Sequence, residues 1–123
     1  MSTTDVAVDF TAERAAVARA LEALMARHLS ADLGEVARAI RYSLEGEGKR
    51  LRAILLMAAY RAAGGQGDAS PLGAALEVVH AYSLVHDDLP CMDDDDMRRG
   101  RQTVHRVFGV RIATAAGMAM VPL

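Results

Sequence analysis

Apolar side chains recur every three or four positions along most of the chain, which is the spacing of one face of an α-helix. Alanine, leucine, methionine and arginine dominate, and the strict alternation of apolar and polar residues that is typical of strands is absent. The residues therefore predict an all-α fold. The pattern places helices at residues 11–28, 33–44, 49–63 and 71–89, and further helical segments from about Val104 with a weak point at Gly109.

Several positions carry the residue types that start or stop helices. Thr11 has a hydroxyl group that can cap the first helix. Ser70 can cap the fourth helix, with Pro71 at the first helical position, where a missing N–H costs nothing. Residues 64–70, GGQGDAS, are typical of a loop, and Pro90 predicts a bend or an end of the fourth helix.

A polar stripe runs along the fourth predicted helix, which is otherwise almost wholly apolar. Glu77, His80, Ser83 and Asp87 follow one another at spacings of three, three and four, so they share one face. A polar group that is buried without a partner costs about 1–3 kcal/mol, so the stripe needs partners. Two interpretations stay open: a hydrogen-bonded seam to another helix, or one wall of a water-filled, ligand-binding cavity with Asp87 at its mouth.

Composition and charge limit the class of protein. The chain of 123 residues is 52% hydrophobic and 24% charged, which is typical of a globular protein, and its net charge of −2 argues against nucleic acid as the main partner. The single cysteine, Cys91, excludes an intrachain disulfide and predicts a reduced, cytoplasmic location. The N-terminus has no signal-peptide pattern.

The longest uncharged segment, residues 112–123, is shorter than the about 20 residues that a membrane span needs, so we expect no membrane span. The segment is helical in character and apolar up to the last residue. We therefore expect the chain to be part of a larger fold.

Negative charge is concentrated in residues 87–96, where six of the ten residues are aspartate. Two unit charges about 6 Å apart repel by roughly 0.7 kcal/mol in water and by nearly ~3 kcal/mol at an effective dielectric constant of 20. A solvated acidic loop tolerates that repulsion, whereas carboxylates that extend from a buried helix need a cation. Aspartate oxygens suit Mg²⁺ or Ca²⁺, and the glycine and terminal glutamate of an EF-hand loop are missing.

Positive charge follows this acidic segment directly, at Arg98, Arg99 and Arg101. Carboxylates that hold a metal and guanidiniums that hold phosphate together indicate a diphosphate site. A second basic group lies in GEGKRLR, where Lys49 and Arg52 are three residues apart and share a helix face. This second group fits phosphate binding at a helix start, although a solvated basic turn would have the same residues.

The motifs together resemble those of a known family. GKRLR at residues 48–52, VVHAYSLVHDDLPCMDDDDMRRGR at residues 78–101 and TVHRVFG at residues 103–109 are similar to motifs of the trans-isoprenyl diphosphate synthases, the polyprenyl synthetase family, and in particular of its bacterial farnesyl diphosphate synthases. The similarity covers residues 36–109 clearly and only the N-terminal portion of such a synthase.

The resemblance implies an all-α, antiparallel helical bundle of the isoprenoid synthase type around a deep cavity, with residues 1–123 as an incomplete, N-terminal portion of a single domain. It implies a prenyltransferase that joins an allylic diphosphate to isopentenyl diphosphate and gives farnesyl or geranylgeranyl diphosphate. The implied cofactor is Mg²⁺, with Mn²⁺ as a substitute, and the implied assembly is a homodimer or a complex with a partner subunit.

The resemblance also assigns roles by position. Asp87, Asp88 and Asp93 would be catalytic, with Asp87 and Asp93 as the metal ligands and Asp88 as their support. Arg98 would hold the allylic diphosphate. The residues expected to hold isopentenyl diphosphate are Lys49, Arg52, His80 and Arg99. Neighbours on a helix point about 100° apart, so Arg98 and Arg99 can serve different diphosphates.

Product length is assigned by resemblance to an aromatic residue five positions before the first aspartate, which is Tyr82 here. At about 1.5 Å per residue, Tyr82 lies about 7.5 Å below Asp87 along a helix and Ser83 lies about 6 Å below it. Tyr82 and Ser83 could therefore form the floor under the growing prenyl tail. The alternative is that Tyr82 is an ordinary core residue whose hydroxyl is hydrogen-bonded.

The sequence departs from the family pattern at several positions. Glu47 replaces a glycine, Ala53 and Gln102 replace prolines, and residues 117–120 read Gly-Met-Ala-Met in place of Gly-Asp-Ala-Leu. The second aspartate-rich motif of the family does not occur in the 123 residues. An alternative function is therefore a non-catalytic subunit or fragment that partners a full-length synthase. Two further alternatives fit the residues less well. A terpene cyclase shares an aspartate-rich metal motif but does not require GKRLR. A nucleic-acid binder that uses RRGR is disfavoured by the acidic neighbours of that motif.

Overall fold

The structure is a computed structural model that describes residues 10–45 and 50–122. The described part is mostly helical and has almost no sheet, which confirms the all-α prediction. Its elements are α1 (Thr11–His28), a 3₁₀ turn (Ala31–Leu33), α2 (Glu35–Leu44), α3 (Leu51–Ala62), α4 (Ser70–Asp87), β1 (Met97–Arg98), β2 (Arg101–Gln102), α5 (Val104–Phe108) and α6 (Val110–Met120). None of the described helices is long and apolar enough to cross a membrane.

Helix α4 lies at the centre and packs against α1, α2, α3 and α6. It is largely apolar, and it buries Val78 and Val85 among its neighbours. Helix α1 contributes three fully buried side chains at a spacing of four residues, which forms the apolar face that the periodicity predicts. These three residues are Val17, Leu21 and Met25. Helix α4 is thus held by four neighbouring helices, and the aspartates of the acidic segment begin at its C-terminal end.

The starts of two helices differ from the prediction. Thr11 lies inside α1, because Phe10 occupies the cap position and makes no side-chain hydrogen bond there. Ser70 likewise is the first residue of α4 and does not cap it. The Asp68 carboxylate accepts a hydrogen bond from the Ser70 N–H (2.9 Å), and this bond, with one from the Ser70 side chain, lowers the pKa of Asp68. The capping chemistry is present, but it acts from two residues earlier.

Two glycines set helix boundaries through positive φ angles. Gly34 has a φ of 54°, and α2 begins after it at Glu35, because residues 31–33 form the 3₁₀ turn. Gly109 has a φ of 90° and separates α5 from α6, which confirms the predicted weak point. A residue with a β-carbon adopts either angle only at a cost, so glycine is favoured at both breaks.

A short antiparallel hairpin interrupts the helices, and the prediction of helices throughout is wrong at this place. Met97 pairs with Gln102, and Arg98 pairs with Arg101. The turn residues Arg99 and Gly100 have φ angles of 52° and 79°, and two positive values are what a two-residue hairpin turn of type I′ requires. Arg98 therefore lies in a strand and Arg99 in the turn, so the argument from neighbours on a helix does not apply.

Candidate functional site

A cavity of about 930 Å³ lies where the end of α2, the start of α3, the middle of α4 and the hairpin meet. Its described lining carries five arginines and only three carboxylates, so the cavity has an excess of positive charge and suits an anion. The arginines are Arg50, Arg52, Arg98, Arg99 and Arg101, and the carboxylates are Glu45, Glu77 and Asp88. Of the residues assigned by resemblance, the described ones that line this cavity are Arg52, His80, Asp88, Arg98 and Arg99.

The inner end of the polar stripe on α4 is a hydrogen-bonded seam. Glu77 is only 5% exposed, and its Oε2 lies 3.4 Å from Nη1 of Arg50. Its Oε1 accepts a hydrogen bond from the Ala53 N–H (3.3 Å), which satisfies one of the unpaired donors at the start of α3. Arg50 also donates to the Leu44 carbonyl (2.7 Å). Glu77 thus ties α4 to the start of α3, and sequence reasoning had not identified Arg50 as its partner.

The middle of the stripe faces the cavity. Nε2 of His80 lies 3.1 Å from Nη1 of Arg52. The pKa of His80 is lowered, first because burial disfavours the charged ring and then because Arg52 repels it. A guanidinium can only donate, so Nε2 accepts from Arg52 and the neutral ring carries its proton on Nδ1. The seam interpretation is therefore confirmed at Glu77, and His80 faces a cavity, whereas Ser83 and Asp87 lie outside the lining of that cavity.

Asp88 and Arg98 form a two-bond ion pair at the edge of the cavity. Nε of Arg98 donates to Oδ2 of Asp88 (2.9 Å), and Nη2 donates to Oδ1 (2.7 Å). Asp88 is 4% exposed, and the bonds to its carboxylate raise the pKa of Arg98 above its usual range. Nη1 of Arg98 takes no part in these two hydrogen bonds, whereas both carboxylate oxygens of Asp88 do. The carboxylates next to it are then better placed than Asp88 itself to bind a metal.

Asp87 and Asp93 are both exposed and lie outside the cavity lining. Asp87 is the last residue of α4, and the chain returns to it because the Asp93 N–H donates to the Asp87 carbonyl (2.8 Å). The Asp95 N–H donates in the same way to the Asp88 carbonyl (3.1 Å). These bonds hold the loop against the end of α4. Exposed carboxylate oxygens fit Mg²⁺, which keeps several waters and commonly takes one or two carboxylates from a protein.

A second group of potential ligands was not predicted. Asp94, Asp96 and His105 offer ligand atoms within 4.8 Å of one another. His105 is buried, its Nδ1 lies 3.3 Å from the Thr103 hydroxyl and its Nε2 lies 4.0 Å from Asp96, while Arg106 also lies 3.6 Å from Asp96. These contacts fasten the acidic loop to α5, so we interpret the group as a structural network. In the sequence, the only local sign of this network is the Thr-x-His spacing of Thr103 and His105 in TVHR, directly before Arg106.

Tyr82 and Ser83 lie on α4 below the aspartates but outside the cavity lining. The Tyr82 ring meets the His86 ring edge to face, with 6.0 Å between the centroids. Nε2 of His86 lies 3.2 Å from the Thr114 carbonyl of α6, and a β-carbon at Gly117 would overlap the same ring. Ser83 donates to the His80 carbonyl (2.6 Å). Lys49, the remaining residue of the predicted set, lies outside the described residues.

Residues 34–122 match the family model of the polyprenyl synthetases. The chain belongs to this family. It is 54% identical over 77 residues to a farnesyl diphosphate synthase of Bacillus subtilis (62% of this chain and 26% of that protein). It is 52% identical over 83 residues to the large subunit 1 of a heterodimeric geranylgeranyl pyrophosphate synthase of Arabidopsis thaliana (67% of this chain and 22% of that protein).

Solved structures agree with these relatives. A geranyltransferase from Legionella pneumophila superposes with a TM-score of 0.78 at 36% identity, over 85% of this chain and 36% of that one. The fold is therefore that of the all-α isoprenoid synthases, as the resemblance implies. The chain spans about a quarter of the length of the two curated relatives that it matches.

Proposed function

We propose that the chain forms the part of a prenyltransferase active site that binds diphosphates, for the condensation of an allylic diphosphate with isopentenyl diphosphate to farnesyl or geranylgeranyl diphosphate. The observation that supports this most directly is the arginine-rich cavity whose lining includes Asp88, the residue that follows Asp87 at the end of α4. A diphosphate carries several negative charges, and it needs both guanidinium donors and a metal to balance them.

Within the cavity, Arg52, His80 and Arg99 would hold isopentenyl diphosphate, together with Lys49 from outside the described residues. Arg98 would hold the allylic diphosphate through Nη1, because Asp88 already fixes its Nε and Nη2. A guanidinium that is fixed by a buried carboxylate meets its ligand in a set orientation and loses less side-chain entropy on binding. Asp88 would thus act through Arg98, which is the supporting role that the resemblance implies.

Asp87 and Asp93 would hold Mg²⁺, for which Mn²⁺ could substitute. A bound Mg²⁺ would neutralise the allylic diphosphate and make it a better leaving group. The arginines of the cavity would hold that diphosphate in place while the bond between its oxygen and the allylic carbon breaks. Tyr82 and Ser83 would lie beneath the prenyl tail and limit its length, and names of relatives include both farnesyl and geranylgeranyl synthases.

A second candidate is a non-catalytic subunit or fragment that partners a full-length synthase. One relative is named as the large subunit of a heterodimeric synthase, which favours this candidate. Large apolar side chains are also exposed on three helices, at Leu55, Leu72 and Met118. We accordingly infer that the chain works in a homodimer or with a partner subunit, in the cytoplasm.

The test is titration calorimetry of the chain with inorganic pyrophosphate, with and without Mg²⁺. We expect binding that Mg²⁺ strengthens by at least about tenfold and that Asp87→Ala or Asp93→Ala reduces to the level seen without Mg²⁺. Asp32→Ala is the matched control, because Asp32 is an exposed aspartate on the 3₁₀ turn after α1.

Equal binding with and without Mg²⁺ in the unaltered chain would contradict the metal assignment. A prenyl transfer assay separates the two candidate functions. We expect no product from the chain alone, because it holds one of the two aspartate motifs of the family. Turnover by the chain alone would contradict the partner role.

A further inference from the structure

The hairpin that carries Arg98 and Arg99 is held from two sides. On one side Asp88 of α4 binds Arg98. On the other side a group of contacts joins the hairpin to Tyr42, which lies in the last turn of α2 and about 60 residues away in sequence. The sequence analysis counted Arg101 among the arginines of the diphosphate site but gave it no role of its own, and it did not include Tyr42.

The contacts of Tyr42 involve three different kinds of interaction. Its hydroxyl donates to the Gln102 carbonyl (2.6 Å), and its own carbonyl accepts from Nη1 of Arg101 (3.2 Å). The Arg101 guanidinium lies over the Tyr42 ring, with Cζ 3.7 Å from the centroid. The edge of the same ring also meets Phe108 of α5, with 5.6 Å between the centroids. Tyr42 is thus in contact with both residues of β2 and with the helix that follows.

We propose that Tyr42 and Arg101 form a clasp that fixes the hairpin to α2 and thereby positions Arg98 and Arg99 at the cavity. This inference rests on the proposed function, since it gives a binding role to the two arginines. The register of the hairpin connects clasp and site, because Arg101 is the cross-strand partner of Arg98. When Tyr42 holds Arg101 in place, the pairing of the two strands therefore also holds the backbone of Arg98.

The hairpin needs such support because it is very short. Each strand has two residues, and an isolated two-stranded hairpin is marginally stable in water. Its turn also places Arg99 at a positive φ of 52°, which is unfavourable for a residue with a β-carbon. Asp88 restrains one side chain of β1, whereas Tyr42 restrains the backbone of β2. Tyr42 is therefore a positioning residue. Arg101 affects diphosphate binding through its contact with Tyr42, which keeps the hairpin in place.

The experiment combines hydrogen exchange with pyrophosphate titration in the presence of Mg²⁺. Tyr42→Leu removes the hydroxyl and the ring, and Tyr42→Phe removes only the hydroxyl. We expect Tyr42→Leu to accelerate exchange in residues 97–103 but not in α1, and to weaken pyrophosphate binding about tenfold. Tyr42→Phe should keep the ring contact and lose only about two- to fivefold. Tyr60→Leu is the matched control. Among the described residues, Tyr60 makes no contact with the hairpin, and its hydroxyl accepts a hydrogen bond from the Gly67 N–H (2.9 Å).

Arg101→Met tests whether Arg101 acts through the clasp or touches the ligand itself, since it also lines the cavity. If it acts through Tyr42, Arg101→Met should cost little further affinity in the Tyr42→Leu background. Two losses that simply multiply would overturn the positioning role and make Arg101 a direct ligand. Circular dichroism of each variant checks that the helices are retained.

Unchanged exchange in residues 97–103 of Tyr42→Leu would overturn the clasp, even if pyrophosphate binds normally. Accelerated exchange with unchanged affinity would overturn its effect on the arginines. Failure of the unaltered chain to bind pyrophosphate would instead overturn the proposed diphosphate site and, with it, the positioning role. The exchange measurement and the binding measurement thus distinguish failure of the clasp from failure of the proposed function.

Discussion

Replacement of Asp88 by asparagine tests how the arginine of the hairpin is held. The substitution keeps the size of the side chain and removes its charge. It leaves at most one of the two ion-pair hydrogen bonds of 2.7 and 2.9 Å, now from the Arg98 cation to an uncharged amide oxygen, because the asparagine NH₂ group cannot accept from Arg98. The hairpin then keeps its contacts with Tyr42 but loses its attachment to α4.

The expected cost follows from the unequal burial of the two partners. Removal of one partner from a fully buried pair costs about 3–5 kcal/mol, and an exposed pair contributes about 0–1 kcal/mol. Asp88 is 4% exposed, but the Arg98 side chain is 37% exposed and can be hydrated again when its partner is lost. The free energy of unfolding should therefore fall by about 2 kcal/mol, which for a domain of this size lowers Tm by roughly 6–12 °C.

Urea denaturation followed by circular dichroism measures this difference, with Asp96→Asn as the matched control. The Asp96 side chain is 63% exposed and lies 3.6 Å from Arg106, so its replacement should cost less than about 1 kcal/mol. A cycle with Arg98→Met then isolates the energy of the pair. The reasoning is refuted if Asp88→Asn lies within about 0.5 kcal/mol of the unaltered chain, or if it costs no more than the control.

Three further predictions concern the metal, the histidine and the product. In a complete synthase with these residues, Asp87→Ala and Asp93→Ala should each abolish Mg²⁺-dependent turnover, and near-normal turnover in both would contradict the metal assignment. The lowered pKa of His80 means that the unfolded chain binds its proton more tightly, so stability should fall as the pH drops below about 6.5. His80→Asn should reduce this loss, measured as the urea midpoint at about pH 7.5 and about pH 5.5, and an equal loss in both proteins would exclude His80 as the cause. Tyr82→Ala in a complete synthase should shift products from farnesyl towards geranylgeranyl diphosphate, and chromatography of the dephosphorylated products showing no shift would place the floor elsewhere.

The helices could be predicted because their burial follows a local pattern. Val17, Leu21 and Met25 are four residues apart in sequence, and they are buried together on one face of α1. The hairpin could not be predicted in this way, since strands of two residues are too short for an alternating pattern. Its turn depends on positive φ angles at Arg99 and Gly100, and Arg-Gly is a weaker turn signal than Asn-Gly or Asp-Gly.

The chemistry of the site could be predicted from the sequence, but the pairs that its side chains form could not. The proximity of aspartates and arginines in sequence was enough to indicate a diphosphate site, but the pairing of Asp88 with Arg98 depends on the hairpin that the sequence did not reveal. The contact of Tyr42 with Gln102 joins residues 60 positions apart. Such a contact depends on how α2 packs beside the hairpin, and no local spacing encodes it.

The close approach of α6 to α4 at Gly117 has a consequence for mutational tolerance near the aspartates. An added β-carbon there would overlap the His86 ring, so even alanine would force that ring away from the Thr114 carbonyl. His86 directly precedes Asp87 in the chain. Position 117 is therefore a site where one methyl group, placed 30 residues from the acidic motif in sequence, would displace the ring of the residue that directly precedes Asp87. In a scan of single substitutions, we expect Gly117 to tolerate fewer replacements than the exposed Met118 beside it, although it has no functional group.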